Sequence, residues 1–236
     1  MSIKVVRRSQ VLFHGIFLVL FSLVLHYLVN VILSKNSLLN LEMLFNYLSE
    51  NKIVLGLSII SATLLFFGKR LGLYAVSILC LLIIGLFVND YYVTGNKGIL
   101  ITGFIYLLCS YFVILSLYFE FSSPPFSPGF VSNQIDNRKL PDIEVAGVDE
   151  SGREYKGRLV KIAVDSFYVL DKYGEKIRGS LSARIAFEGI NFECLAWEVT
   201  KSNGGRGFRV NTSNSDSPMS WYNFYRILKD RGYYFE

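Results

Sequence analysis

Four apolar stretches occupy the first half of this chain and contain no Asp, Glu, Lys or Arg: Val11–Leu33, Ile53–Phe67, Leu71–Val88 and Ile99–Phe119. A membrane-crossing helix needs about 20 such residues, so the pattern predicts four transmembrane helices within residues 1–120. The second stretch is short and has to borrow flanking residues or sit where the bilayer thins. Lys69-Arg70 leaves almost no loop between the second and third, which makes them a tight helical hairpin. Lys4, Arg7 and Arg8 precede the first stretch as they would in a signal peptide. That run is longer than a signal core, however, and no Ala-x-Ala-like site closes it, so a retained helix is expected.

Positive residues set orientation. Lys4, Arg7, Arg8, Lys69 and Arg70 fall on one side of the four spans and Lys35, Lys52 and Lys97 on the other, where Glu42, Glu50 and Asp90 dilute them. The expectation is both termini inside. Between the first two spans, Leu38, Leu41, Phe45 and Leu48 recur at helical spacing, which predicts a short amphipathic helix lying on the outer leaflet or capping the bundle. The polar residues within the spans that stand out are His14, His26 and Asn30, with His26 and Asn30 four apart on one helix face. A proton relay would want an acidic partner inside the bilayer, and the four stretches offer none. An interhelical hydrogen bond or an interfacial histidine is the expected role.

The seam Phe121-Ser-Ser-Pro-Pro-Phe-Ser-Pro-Gly129 ends the greasy half, and four of the five prolines (Pro124, Pro125, Pro128, Pro141) lie between the halves. Residues 121–137 read as a semi-rigid linker. Of the net charge of +5, residues 1–120 carry +4 and residues 121–236 carry +1. The basic excess therefore sits at helix ends, where topology explains it, and nucleic-acid binding is not indicated. From Asp142 on, alternation replaces helical periodicity. Strands are expected at Asp142–Val148, Tyr155–Val164, Phe167–Asp171, Ser182–Phe187, Phe192–Thr200 and Gly207–Asn211, with turns at Asp149–Gly152, Lys172–Glu175 and Glu188-Gly189. Short strands at this spacing argue a small antiparallel β-barrel. A closing helix starting near Ser217-Pro218 would present Trp221, Tyr225 and Leu228 to an open barrel end.

The order of these elements resembles a PilZ domain over residues 138–236, about 40% of the chain. The likeness rests on Arg138-Lys-Leu-Pro141 before the first strand, Gly157-Arg-Leu-Val-Lys-Ile-Ala163 entering the second, Gly205-Arg-Gly-Phe-Arg-Val210 late in the domain and the Trp221–Arg231 helix. PilZ domains are bacterial six-stranded barrels that commonly sense cyclic diguanylate through R-x-x-x-R and D/N-x-S-x-x-G stretches. Here Gln134 stands at the first arginine and Arg138 at the second. Lys161, Ala163 and Ser166 replace the Asp, Ser and Gly of the second stretch. At about 1.5–3 kcal/mol per charge-assisted hydrogen bond removed, tight binding in the usual mode is not expected. Arg138, Lys139, Arg158 and Lys161 could still form a diffuse anionic-ligand site beside the plainer role of a solvated basic face.

No catalytic constellation, metal spacing, cofactor motif or disulfide framework is visible; Cys80, Cys109 and Cys194 stand apart. The resemblance implies a non-enzymatic protein of the bacterial inner membrane. Its cytoplasmic, degenerate PilZ-like domain would bind a protein partner in envelope polysaccharide synthesis, pilus assembly or motility. Tyr222, Tyr233, Tyr234 and Phe235 are the candidate contact residues. Two alternatives are a cyclic-dinucleotide sensor with an altered binding mode and a mechanosensitive-channel-like protein. The latter is suggested by Gly157–Leu170 followed by Lys172-Tyr-Gly-Glu175, and opposed by the bulky fourth span.

Overall fold

The computed structural model describes residues 4–7, 9–33, 41–126, 143–170, 177, 179–202, 204–211 and 219–231. They form two compact units, one spanning Ser9–Glu120 and the other joining the N-terminal strand to the chain from Phe121 on.

The first unit is helical: α1 (Gln10–Leu33), α2 (Leu41–Glu50), α3 (Lys52–Phe66), α4 (Leu71–Thr94) and α5 (Lys97–Ser122). Helices α1, α4 and α5 are long and apolar enough to cross a membrane, and α2 with α3 forms a pair bent by 83° that supplies a fourth candidate. Apolar side chains are exposed all round them, Phe17, Ile78 and Phe112 among others, as a lipid-facing surface requires. Two of the predicted spans end too early. Helix α4 runs on to Thr94, where Gly95 caps it in the left-handed conformation (φ 66°) and returns its N–H to Tyr91 O. Helix α5 starts at Lys97 and runs to Ser122. The helices meet closely where side chains are small. Leu65 lies against Gly15 of α1 and Gly72 of α4, and Ser58 and Ser61 are buried on α3, whereas Gly56 faces open space.

The second unit is a six-stranded antiparallel barrel. Its strands are β2 (Glu144–Asp149), β3 (Glu154–Ile162), β4 (Ser166–Leu170), β5 (Ser180–Phe187), β6 (Ile190–Ser202) and β7 (Gly205–Val210). The neighbour order is β6-β5-β2-β3-β4-β7, and β7 pairs back onto β6 to close the ring. All six strands agree with the sequence expectation in position and type. In β5 the burial alternates strictly, with Leu181, Ala183, Ile185 and Phe187 inward. At the β5–β6 hairpin Glu188 (φ 46°) and Gly189 (φ 81°) both take positive φ, the geometry a two-residue turn between twisted strands needs.

Helix α6 (Trp221–Asp230) closes the domain, with the Ser220 side chain accepting from Asn223 N–H as its cap. Its buried stripe is Trp221, Phe224 and Leu228, so Phe224 takes the central place expected of Tyr225, which is only partly buried. Phe224 stacks on Phe192 at 4.9 Å between ring centroids, and Trp221 packs against Phe167 and Phe192. Ser217 and Pro218 lie outside the described residues, as do the predicted turn Lys172–Glu175 with Asp171 before it and the linker from residue 127 to 142.

A short strand that the sequence reading did not include, β1 (Lys4–Val5), adds to β6 in the register Lys4↔Lys201 and Val5↔Thr200. Val6 N–H extends the pairing to Val199 O, and the Arg7 guanidinium stands over the Trp197 ring at 5.3 Å. The start of the seam is packed as well. Thr200 Oγ1 donates to Pro125 O, and Phe121 and Phe126 are buried against each other, 5.5 Å between centroids. On β7, Gly205 lies under the Tyr168 ring and Gly207 under Pro125, so a Cβ at either position would overlap them. Gly207→Ala is expected to cost about 1–3 kcal/mol by overpacking. It should show as a lower Tm of the full-length protein and faster proteolysis within 121–130, while Thr200→Val, which loses only one hydrogen bond, costs about 1 kcal/mol.

Candidate functional site

The barrel's sequence-predicted ligand residues fall on strand β3 and the turn after it. A bulge between Leu159 and Lys161 shifts the register there, with Leu159 paired to Val169 and Lys161 to Tyr168. Leu159 and Ile162 point into the core, whereas Arg158 and Lys161 are half-buried on the strand's other face. Burial pushes the Lys161 ammonium below its ordinary pKa, the effect of taking a cation out of water. Arg138 and Lys139, the other two candidates, lie outside the described residues, as do Tyr233, Tyr234 and Phe235; Tyr222 is exposed on α6.

The β3–β4 turn, where the resemblance would put ligand contacts, is engaged by the domain itself. Ala163 N–H donates to Ser166 O, and the Trp221 indole N–H donates to Ala163 O at 3.0 Å. Asp165 O accepts from Val210 N–H, its carboxylate accepts from the Ser166 hydroxyl, and Arg209 lies 3.4 Å from it. Ser166 is fully buried. Closing helix, turn and last strand are thus tied at one point. Elsewhere in the barrel, Arg206 is buried with Glu198 at 3.5 Å and stands over the Tyr155 ring at 5.8 Å. Burial pushes the Cys194 thiol up to about 12, which leaves it protonated and a poor nucleophile at neutral pH.

The helical unit holds a polar cluster that sequence reasoning only half found. His26, 3% exposed, places Nδ1 2.9 Å from the Tyr47 hydroxyl of α2 and Nε2 3.4 Å from Asp90 Oδ2 of α4. Asn30, one turn along α1, donates to His26 O at 2.9 Å and brings its amide within 3.4 Å of Nε2. The acidic partner thought to be missing is therefore present. It lies two residues past the predicted end of the third span, and Thr94-Gly95 as a helix stop would have revealed it. One turn below His26, Ser22 Oγ is 2.7 Å from the Tyr106 hydroxyl, which also reaches Cys80 Sγ at 3.3 Å. His14 is exposed on α1, about three turns from His26.

Helix α2 is fastened through this cluster. Tyr47 is its buried residue, whereas Leu41 and Phe45 of the predicted apolar stripe are 67% and 70% exposed. Those two point away from the helical unit, Leu48 is half-buried, and Leu38 lies outside the described residues.

Among the described residues no three His, Cys, Asp or Glu side chains gather to hold a metal ion. Set against known proteins, the chain matches no family model and no curated protein. Trp221→Phe keeps most of the ring packing but strands the Ala163 carbonyl. It is expected to destabilise the barrel by about 1–2 kcal/mol, measured by chemical denaturation.

Proposed function

We propose that the chain is a non-enzymatic accessory or regulatory protein of the bacterial inner membrane, whose PilZ-like barrel docks a protein partner on the cytoplasmic side. The observation that carries this reading is the filled β3–β4 turn. Ala163 O, Asp165 and Ser166 are already held by Trp221, Arg209 and Val210. A turn whose polar groups serve the domain's own closure favours a binding scaffold over a dinucleotide receptor. Arg158 and Lys161 then belong to a basic surface rather than to a phosphate grip. The six-stranded barrel followed by a helix is consistent with PilZ architecture, and by fold-level analogy the partner belongs to envelope polysaccharide synthesis, pilus assembly or motility.

Four crossings fit this reading better than three. Strand β1 precedes α1 and β6 follows α5, and their hydrogen bonding supports a span set whose two ends open on one side. That needs an even number of crossings, so α3 has to be counted with α1, α4 and α5. At 15 residues α3 is about 22 Å long, short of a hydrocarbon layer of about 30 Å, and Lys52 and Lys69 at its ends suit a locally thinned bilayer. In a bacterial host, alkaline phosphatase fused at Asn96 should be active and at Lys69 inactive; activity at Lys69 would overturn the topology.

Tyr222, 55% exposed on α6, is the described residue from which to search for the partner. A photo-crosslinking amino acid at position 222 of the full-length protein, expressed in its own membrane, is expected to trap one envelope component. A control at Lys156, on the outer face of β3, should not. Cyclic diguanylate added to the protein in nanodiscs should bind no tighter than about 100 µM by calorimetry. Micromolar binding would instead establish the sensor reading.

A further inference from the structure

The His26 cluster joins three separate elements, as the Ser22–Tyr106–Cys80 group does, but of the two it is the one that sets a histidine beside a carboxylate. Asp90 lies 19 residues into α4, about 28 Å along its axis, and so close to one membrane face. Its side chain is 19% exposed, which gives protons a way in. From Tyr106 and Cys80 the polar contacts reach the buried Ser110 of α5 and stop there among the described residues. Beyond Ser22, Tyr106 and Cys80, α1 meets Leu65 and Leu117 at Gly15, and Leu12 and Leu18 are buried on the same helix. A polar site open at one end and floored by leucine holds a proton without conducting it.

We propose that His26 is a proton-binding latch that fastens α2 to α1 and α4. With the neutral ring in its Nε2–H tautomer, Nε2 lies 3.4 Å from Asp90 Oδ2 without a formed hydrogen bond, and Nδ1 accepts from the Tyr47 hydroxyl. When a proton is added at Nδ1, both ring nitrogens become donors. Nε2–H then forms an ion pair with Asp90, and Nδ1–H donates a charge-assisted hydrogen bond to the Tyr47 oxygen, while the tyrosine proton turns away. Charge-assisted bonds are about twice as strong as neutral ones, so acid tightens the latch and rising pH loosens it. The side chains facing the imidazole are Asp90 from α4, Tyr47 from α2 and Asn30 from α1 itself. Phe87 of α4 covers another face with its edge, and Tyr106 of α5 lies against Phe87. Helix α3 has no ionisable residue after Lys52, which is exposed like Glu42 and Glu50. Tyr47 is the buried residue of α2, and its contact with His26, beside its edge-on packing against Tyr27 at 5.3 Å, helps set how firmly the helix is held. The inference holds whether or not the barrel docks a partner.

The chain has two histidines, so imidazole nitrogen labelling of the full-length protein in nanodiscs gives two resolvable rings, and His14→Asn leaves His26 alone. As the pH is lowered from 8 to 5, the His26 ring nitrogens are expected to shift as the ring takes up a proton. Over the same interval, amide exchange of Leu41–Glu50, corrected for intrinsic rates, should rise about tenfold with the same midpoint. Asp90→Asn should weaken proton binding about tenfold or more. Tyr47→Phe should keep the His26 titration but remove the exchange step, and His26→Gln should remove both. A His26 ring that does not titrate in this window would overturn the proposal. So would α2 exchange that ignores pH, or an exchange step that survives in Tyr47→Phe.

Discussion

The unmet hydrogen-bonding edge of β6 organises the barrel unit. At 13 residues it is the longest strand, and every N–H and C=O along it needs a partner. Strand β5 covers Ile190–Trp197, β7 covers Ala196–Ser202 and closes the ring, and β1 takes up the pairing at Thr200 and Lys201. The register shift between Glu198 and Thr200 is what lets one strand serve these neighbours. It bends β6 at the barrel rim and leaves Thr200 Oγ1 directed at Pro125. A long exposed edge is an aggregation hazard, and the N-terminal strand removes part of it. The same edge therefore settles the closure of the barrel and the destination of the chain's N-terminus.

The glycines of Gly205-Arg-Gly207 gain a physical role from this arrangement. A side chain at either would stand where Tyr168 or Pro125 packs, so the outer face of β7 is flat and is covered by the domain's own residues. Tyr168, 1% exposed, ties its hydroxyl to Ser202 at the end of β6. As a glycine-rich loop this segment would suggest a phosphate cradle. As a strand it offers no helix N-terminus, and its missing side chains make room for an aromatic ring and a proline.

The strands were legible because period-two alternation is a local property: Leu181, Ala183, Ile185 and Phe187 alternate with exposed residues in sequence just as they do in the sheet. Three features were not legible, each for a different reason. A two-residue strand such as Lys4–Val5 has no period to read and exists only because β6 offers an edge. The middle of the α6 stripe needed a choice between Phe224 and Tyr225, which lie on adjoining faces, and stacking on Phe192 decides it. Asp90 was set outside its span because apolarity ends at Val88, whereas hydrogen bonding carries the helix on to Gly95. Composition locates the membrane, but a helix ends where its cap is. The candidate site in the helices depended on that difference of two residues.

Depth then explains why α4 can hold a carboxylate where it does. A charge at the bilayer centre is costly even when paired, and the cost falls steeply toward the interface. Asp90 lies near an end of α4, partly exposed, with His26 beside it. The polar groups one turn deeper, Ser22, Tyr106 and Cys80, are neutral and bond to one another, with Ser22 also returning its hydroxyl proton to Leu18 O. Deeper still the contacts are leucine on glycine. Polarity thus falls in steps from ionisable to hydroxyl to hydrocarbon as the local cost of charge rises. A conducting path would have to interrupt that gradient with further charged side chains, and α3 and α4 carry no Asp, Glu, His, Lys or Arg between Lys52 and Lys69 or between Arg70 and Asp90.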